Sequence, residues 1–341
     1  MTGAPAIPET LEEAIAPTWL SEVLGAEVTD VRTGVLDNRV STNLEVHVTL
    51  ADGTARDLWI KGYFSEVGRP FRQAGVPETL FYRDVVTSTG MRTLRAVHAV
   101  ADPETHANVL ITEDAGDVTF LNGLSPYSVA QAAQSLDQLA TLHAATWMRP
   151  DLAALAWLQP RLASYTVARG EAEITQNFAG PEGAGVPAAV RDPARLFAAY
   201  RTLAADAATA SPWSVIHGDV HIGNLLVDPS GRPTFLDWQL VQRGPCLLDV
   251  GYHLASVLTV ADRRANEHAL VRHYLDRLQA HGAPVDAHAH GDVWRGVRRG
   301  FVHGFYLWAI TLRVDPRITA ALLERLGTAV DDHDAFAAVG T

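Results

Sequence analysis

The sequence has almost no lysine and almost no cysteine. Lys61 is the single lysine among the 27 basic residues of this 341-residue chain, so every other permanent positive side chain is an arginine. Cys246 is the single cysteine, which excludes a disulfide framework and a cysteine-rich zinc site. Because the chain uses arginine everywhere else, the ammonium group at position 61 calls for a specific explanation.

A basic surface and long apolar segments are also missing. The formal net charge is -12, with 9 basic and 17 acidic residues up to position 115 and no basic run anywhere, which argues against a nucleic-acid partner. The N-terminal segment lacks the features of a signal peptide, and no segment reaches membrane-spanning length without charge. We therefore expect a cytoplasmic protein without a membrane span, either a monomer or a homodimer.

The first third of the chain carries the pattern of β-strands. Apolar residues occupy alternate positions from Val40 to Leu50, which is the period of a half-buried strand. Asp52-Gly53 then supplies a turn, and a second strand begins at Leu58 and leads into Lys61. The apolar run Val109–Ile111 predicts a further strand. Lys61 is therefore expected on a hairpin strand.

Helical patterns dominate the remainder of the chain. Pro77 and Glu78 open a helix that we extend to about Thr87. Ser125-Pro126 has the chemistry of an N-cap followed by the first helical residue, and predicts a long helix that ends at Trp147.

One group of short strands interrupts these helices, at residues 215–216, 225–227 and 234–236. Together the patterns predict an α+β fold with two lobes. The N-terminal lobe, residues 1–115, is β-rich, and the C-terminal lobe, residues 116–341, is mostly helical.

The group of short strands contains the most specific motif, VIHGDVHIGNLLVDPSGRPTFLDWQ, residues 215–239. Its first loop presents His217, Asp219, His221 and Asn224, and Asp237 follows the last strand. Carboxylate and amide oxygens at strand ends are the ligands that suit Mg²⁺. An additional carboxylate could accept a proton from an attacking hydroxyl. The same histidines and aspartates leave open a two-metal hydrolase as a less favoured alternative.

The pattern HGDxxxxN followed by an aspartate resembles the aminoglycoside-phosphotransferase and kinase-like family of small-molecule kinases, which includes choline kinases and ecdysteroid-kinase-like proteins. The resemblance implies a protein-kinase-like fold that uses ATP and Mg²⁺. It implies that Asp219 is the catalytic carboxylate facing the acceptor hydroxyl, and that Asn224 and Asp237 hold the magnesium ions. His217 and Asp249 would support the catalytic loop.

The same resemblance assigns residues to ATP. Lys61 would pair with the α and β phosphates and Glu78 would hold it in place, while the backbone of Glu113, Asp114 and Ala115 would meet adenine. The loop over the phosphates is expected near Gly34–Arg39, where one glycine stands in place of the several found in protein kinases.

The acceptor is less well defined by the sequence. The aromatic segment Phe301–Ile310 is either core or the lining of a pocket, and the second possibility favours an acceptor with a substantial apolar part, such as a macrolide, steroid, lipid-like alcohol or hydroxyacyl thioester. An aminoglycoside is the alternative, although the chain after residue 115 is only mildly acidic. A non-catalytic nucleotide-binding protein and an enzyme that transfers AMP also stay open.

Overall fold

A computed structural model describes residues 5–285 and 290–340 of the chain. The described residues form two compact units. The N-terminal unit contains the residues up to Ser88, Thr93–Asp117 and Asp237–Leu240, and the C-terminal unit contains Thr89–Arg92, Val118–Leu236 and the residues from Val241 onward. The lobe boundary that we place at residue 115 stays a prediction.

The N-terminal unit is built on a five-stranded antiparallel sheet with strand order β1-β2-β3-β5-β4. Its elements are α1 (Leu11–Ala14), α2 (Pro17–Leu24), β1 (Val28–Asn38), β2 (Thr42–Leu50), β3 (Ala55–Gly62), α3 (Gly75–Asp84), β4 (Ala96–Ala101) and β5 (Asn108–Glu113). Alternate residues of β2, among them Leu44, Val46 and Val48, are buried in a core shared with Leu58 and Ile60 of β3. The alternating pattern therefore marks a real strand with one face in the core.

The sheet confirms that Lys61 lies on a hairpin strand, where it pairs with Asn43 of β2 and Leu110 of β5. The loop predicted at Gly34–Arg39 is wrong in its extent. Strand β1 continues through Asn38 because its end pairs with β2, and because the Val35 N–H donates a hydrogen bond to the Glu45 carboxylate (3.0 Å). The turn is confined to residues 39–41.

The C-terminal unit is mostly helical and contains two small sheets, β10-β7 and β6-β8-β9. Its elements are β6 (Thr119–Phe120), α4 (Val129–Ala145), α5 (Pro150–Ala153), α6 (Leu162–Ala168), α7 (Glu171–Ala179), α8 (Pro193–Ala208), β7 (Ser214–Ile216), β8 (Leu225–Val227), β9 (Pro233–Phe235), β10 (Gln242–Gly244), α9 (Leu247–Val257), α10 (Val260–Ala280), α11 (His290–Ala309) and α12 (Pro316–Asp332). A β-rich N-terminal unit and a mostly helical C-terminal unit confirm the predicted α+β class.

Two helices begin or end away from their predicted positions. Helix α4 starts after Ser128 instead of Ser125, because the Ser128 hydroxyl accepts the Gln131 N–H and the Gln131 side chain accepts the Ser128 N–H, which is a capping box. Helix α3 begins at Gly75 and ends at Asp84, before the predicted Thr87. No helix in residues 5–285 and 290–340 is long and apolar enough to cross a membrane.

Helices α9 and α11 approach each other closely at glycines. A Cβ atom at Gly251 of α9 would lie 2.0 Å from the Val297 carbonyl oxygen and 2.9 Å from the Gly300 Cα atom. Only glycine allows this approach, since real Cβ atoms do not come so near to backbone atoms. The close packing matters because α9 carries Asp249 and Tyr252, and α11 carries Trp308.

Candidate functional site

The N-terminal unit holds an ion pair around the single lysine. The Lys61 ammonium nitrogen lies 2.6 Å from a carboxylate oxygen of Glu78 and 3.4 Å from one of Asp237. The side chains of Lys61 and Glu78 are 19% and 5% exposed, whereas Asp237 is 43% exposed. The structure therefore brings together Lys61 and Glu78, which the sequence assigns to ATP, and the predicted magnesium ligand Asp237, whose carboxylate is open to solvent.

Charge keeps this lysine protonated. Burial alone would lower the pKa of Lys61, but the carboxylates of Asp237 and Glu78 outweigh burial and raise it above its ordinary value. The ammonium group is therefore a permanent point charge at neutral pH. A compact cation fits between two carboxylates at these distances more readily than the planar fork of an arginine.

Asp237 has an unusual backbone and a firm attachment to α3. Its φ of 58° lies in the left-handed region, which side chains other than glycine seldom adopt. The next residue, Trp238, donates its N–H to Glu78 (3.3 Å) and stacks on Phe81 with ring centroids 4.1 Å apart. These contacts hold the strained residue in place.

Part of the predicted adenine-binding segment, residues 113–115, is hydrogen-bonded into the N-terminal sheet. The Glu113 N–H donates to the Arg95 carbonyl and the Asp114 N–H donates to the Asp57 carbonyl, both at 2.9 Å. The Glu113 carboxylate pairs with arginines, and the Asp114 carboxylate accepts hydrogen bonds from the Trp59 ring (2.8 Å) and the Gly116 N–H (2.7 Å). The side chains of Glu113 and Asp114 thus have structural partners.

In the C-terminal unit, a buried aspartate holds the loop at residues 217–224, which the sequence predicts to be catalytic. Asp249, in the first turn of α9, accepts the His217 N–H at 2.7 Å and the Gly218 N–H at 3.0 Å. Gly218 has a φ of 80°, so glycine is required there to turn both amides toward one carboxylate. His143 of α4 lies 3.3 Å from the same carboxylate and contacts Tyr274 at 2.8 Å.

Asp249 is an anion despite its complete burial. Burial would raise its pKa, but the interaction with His143 and the hydrogen bond from the Gly218 N–H lower it below the ordinary value. A buried carboxylate with this many donors fixes the loop backbone rigidly.

His217 connects the loop to the end of β9. Its Nδ1 atom accepts the Asp219 N–H (3.2 Å), so in the neutral ring Nε2 carries the hydrogen and donates to the Leu236 carbonyl (2.9 Å). The Leu236 N–H in turn donates to the Asn224 carbonyl (2.9 Å). Asp237 is the next residue in the chain.

Asp219 itself is partly open to solvent, with its side chain 25% exposed. One carboxylate oxygen, Oδ1, accepts the hydroxyl hydrogen of Tyr252 at 2.9 Å. The buried Asn224 donates its side-chain amide to the Asp219 backbone carbonyl at 2.7 Å, which leaves the Asn224 amide oxygen as a possible metal ligand. The loop therefore presents one carboxylate and one amide oxygen in a fixed relation.

The sequence interpretation missed three supporting residues. His143 contacts Asp249, Tyr252 contacts Asp219, and Trp308 contacts Tyr252. The whole segment Phe301–Ile310 is buried, so it is core. Trp308 nevertheless donates its ring N–H to the Tyr252 oxygen (2.9 Å) and meets the His221 ring edge-on at 5.0 Å. The aromatic enrichment of that segment was the available signal, but it does not identify which ring reaches the loop.

Three solved structures show what the chain is similar to. A macrolide 2'-phosphotransferase type I is 16% identical, with a TM-score of 0.47, and the match covers 89% of this chain and 92% of that chain. A choline kinase from Streptococcus pneumoniae is 14% identical, with a TM-score of 0.47, over 94% of this chain and 98% of that chain. A fructosamine-3-kinase, described as putative, from Thermobifida fusca is 17% identical, with a TM-score of 0.49, over 93% and 98%.

No curated protein matches the chain. The model of the phosphotransferase enzyme family matches residues 90–288, which is more than half of the chain and includes Asp219, Asn224, Asp237 and Asp249. The chain belongs to the phosphotransferase enzyme family.

Proposed function

We propose that this protein transfers the γ-phosphoryl group of ATP to a hydroxyl group of a small molecule that has a substantial apolar part. The observation that carries the proposal is the buried ion pair of Lys61 and Glu78 with the exposed carboxylate of Asp237 beside it. A buried cation next to an exposed oxygen ligand suits a nucleotide phosphate that arrives with a metal ion. Family membership favours phosphotransfer over the two-metal hydrolase.

The residues present fit ATP and magnesium. Lys61 is assigned to the α and β phosphates, and the amide oxygen of Asn224 and the carboxylate of Asp237 are hard ligands assigned to Mg²⁺. When bound, Mg²⁺ neutralises the charge on the phosphates. Because the N–H groups of Glu113 and Asp114 donate within the sheet, we assign the donor contact with adenine to the exposed Ala115.

Asp219 is assigned the catalytic role. Its carboxylate is partly exposed, while the backbone around it is held by His217 and Asp249. A carboxylate fixed in this way can orient an acceptor hydroxyl and take its proton.

The preference for an apolar acceptor is supported by exposed apolar side chains near the catalytic loop. The Gln242 side-chain amide donates to the Tyr165 hydroxyl of α6 at 3.1 Å, and Gln242 pairs with Ile216 of β7, the residue before His217, so α6 lies beside the strand that leads into the loop. Val167, on the same helix, is 86% exposed, and Leu312, just after α11, is 40% exposed. The Tyr306 hydroxyl of α11 donates to the Arg169 carbonyl (3.0 Å) and so holds α6 and α11 together. We assign the apolar part of the acceptor to this region.

An aminoglycoside acceptor stays the alternative within the same reaction class. A polycation would be favoured by a cluster of exposed carboxylates around Asp219, whereas the side chains next to its carboxylate are those of His221 and Tyr252. A non-catalytic nucleotide-binding role is less favoured because Asp219, Asn224 and Asp237 are all present.

The test is a panel of hydroxylated compounds incubated with ATP and Mg²⁺ and followed by mass spectrometry. We expect an apolar alcohol to gain one phosphate, and expect Asp219→Asn to abolish this gain while Mg-ATP still raises the melting temperature. Asp276→Asn, an exposed carboxylate on α10, is the matched control and should retain full activity.

Each other outcome identifies a different error. A gain of AMP would replace phosphotransfer with adenylyl transfer, and phosphorylation of cationic aminoglycosides alone would refute the apolar acceptor. Binding of Mg-ATP without any product or ATP turnover would favour the non-catalytic alternative, whereas no effect of Mg-ATP on melting would refute the nucleotide assignment.

A further inference from the structure

The two oxygens of the Asp219 carboxylate have different surroundings. Oδ1 accepts the Tyr252 hydroxyl at 2.9 Å, and the Trp308 ring N–H donates to the Tyr252 oxygen, also at 2.9 Å. The only hydroxyl proton of Tyr252 therefore points at Asp219. Within the described part of the C-terminal unit, no hydrogen bond reaches Oδ2, which lies 3.7 Å from the His221 Nε2 atom.

Packing fixes the Tyr252 ring in this position. A Cβ atom at Gly304 of α11 would lie 2.2 Å from a ring carbon of Tyr252, so the ring occupies space that only glycine leaves open. Tyr252 is fully buried, and so it cannot turn away into solvent. The distinction between the two Asp219 oxygens is therefore built into the contact between α9 and α11.

The tautomer of His221 follows from its own contacts. Its Nδ1 atom accepts the Gly223 N–H at 3.0 Å, so the neutral ring carries its hydrogen on Nε2, the atom that faces Asp219. A Cβ atom at Gly223 would lie 2.7 Å from the His221 ring, and that ring packs against Trp308 in a T-shaped arrangement with ring centroids 5.0 Å apart. The ring plane is thus held from two sides.

We infer that the acceptor hydroxyl binds between Asp219 Oδ2 and His221 Nε2, with His221 as an acceptor-binding residue. The two atoms are 3.7 Å apart, too far for a good hydrogen bond with each other. A hydroxyl oxygen can lie ~2.8 Å from each of them, accepting the His221 hydrogen and donating its own to Oδ2. The inference rests on the proposed function, since it specifies where that reaction's acceptor lies.

The chemical step balances with ATP as the donor. The hydroxyl oxygen forms a bond to the γ-phosphorus as its proton moves to Asp219 Oδ2, and the bond from that phosphorus to the bridging oxygen breaks. ADP leaves with the electron pair, and Asp219 returns the proton to solvent. His221 keeps its hydrogen throughout and only orients the oxygen lone pairs toward phosphorus.

Two substitutions separate this role from a purely structural one. Asparagine at position 221 places its oxygen near the position of Nδ1, so His221→Asn keeps an acceptor for the Gly223 N–H and removes the donor to the acceptor hydroxyl. Glutamine places its amide nitrogen near the position of Nε2, so His221→Gln keeps the donor and removes the acceptor for Gly223. The two variants therefore separate donation to the acceptor hydroxyl from the hydrogen bond with the Gly223 N–H.

We expect His221→Asn to lower kcat/KM for the acceptor about tenfold, and His221→Gln to retain most of it, while KM for ATP is unchanged in both. The same order should appear in the slow hydrolysis of ATP when water occupies the hydroxyl site. If His221→Gln is the weaker variant, the ring acts through Gly223 and the inference is wrong. If both variants match the wild type, His221 does not contact the acceptor, and the inference is again wrong.

The failure of the proposed function looks different. If the wild-type protein turns over no ATP with any acceptor or with water, both the function and this inference are refuted. ATP turnover that depends on Asp219 but not on residue 221 refutes the inference alone.

Discussion

Replacing Lys61 by methionine tests the ion pair of the N-terminal unit without any substrate. The ammonium lies 2.6 Å from Glu78, and both side chains are largely buried, at 19% and 5% exposure. Removing one partner leaves a buried carboxylate without its counterion, which costs about 3–5 kcal/mol in comparable sites. We therefore expect Lys61→Met to lower the free energy of unfolding by this amount at pH 7.

The assay is urea unfolding followed by circular dichroism and tryptophan fluorescence. A matched control lies on the same strand, since Arg56 pairs with Glu113 at 3.2 Å but both side chains are about one-third exposed (27% and 32%). Arg56→Met should cost less than about 1 kcal/mol because solvent screens this pair. The difference between the two variants measures the effect of burial.

A second substitution tests the cause. If the cost of Lys61→Met comes from the isolated carboxylate, adding Glu78→Gln should recover about half of the loss, so the two substitutions are not additive. Lys61→Arg keeps the charge and should be more stable than Lys61→Met, yet it should impair ATP turnover because the guanidinium is larger. The reasoning is refuted if Lys61→Met unfolds within about 0.5 kcal/mol of the wild type, or if the double variant shows simple addition.

Two further predictions concern the C-terminal unit. Asp249→Asn should lower the unfolding free energy by about 2–3 kcal/mol and reduce turnover, because an amide accepts hydrogen bonds from the His217 and Gly218 N–H groups more weakly than a carboxylate does. Urea unfolding measures the stability and steady-state kinetics measure the turnover. An unchanged stability would contradict this prediction. Burial lowers the pKa of His253 to about 4 in the folded state. The unfolded state therefore binds a proton at this residue below pH ~6.5, whereas the folded state binds it only near pH 4. Stability should therefore fall by about 3 kcal/mol as the pH falls through that window, and His253→Gln should flatten this part of the pH profile; an equally steep profile in the variant would exclude His253 as its source.

The strands show what sequence patterns can predict. Strand β2 was predicted because one face is buried, which requires apolar residues such as Leu44, Val46 and Val48 at alternate positions. Strand β1 was missed because it lies at the edge of the sheet and most of its side chains are exposed on both faces. Without a buried face, an edge strand leaves no alternation in the sequence.

The start of α4 shows a limit of another kind. Ser125 and Ser128 are both suitable caps, and the proline after Ser125 favours the earlier start. The Gln131 side chain decides for Ser128 because it closes the capping box. Each of these capping signals is worth about 1 kcal/mol or less, so local sequence alone places the start of α4 only to within one helical turn.

In the candidate site, the sequence indicates the residues assigned to the reactants but not the residues that hold them. Residues assigned to the reactants are prominent in the sequence because their spacing is short: Asp219 and Asn224 are neighbours on one loop, and Lys61 stands out as the single lysine. The residues that hold them come from far along the chain, Tyr252 being 33 residues and Trp308 56 residues from their bonded partners. A tyrosine inside an apolar helix has the same pattern whether its hydroxyl meets a catalytic carboxylate or a backbone carbonyl. The helix contact at Gly251 and Gly304 decides between these, and it exists only in three dimensions. The chemistry that we propose for the acceptor hydroxyl therefore rests on two residues close together in the sequence, Asp219 and His221, whereas the orientation of the Asp219 carboxylate depends on how α9 and α11 pack.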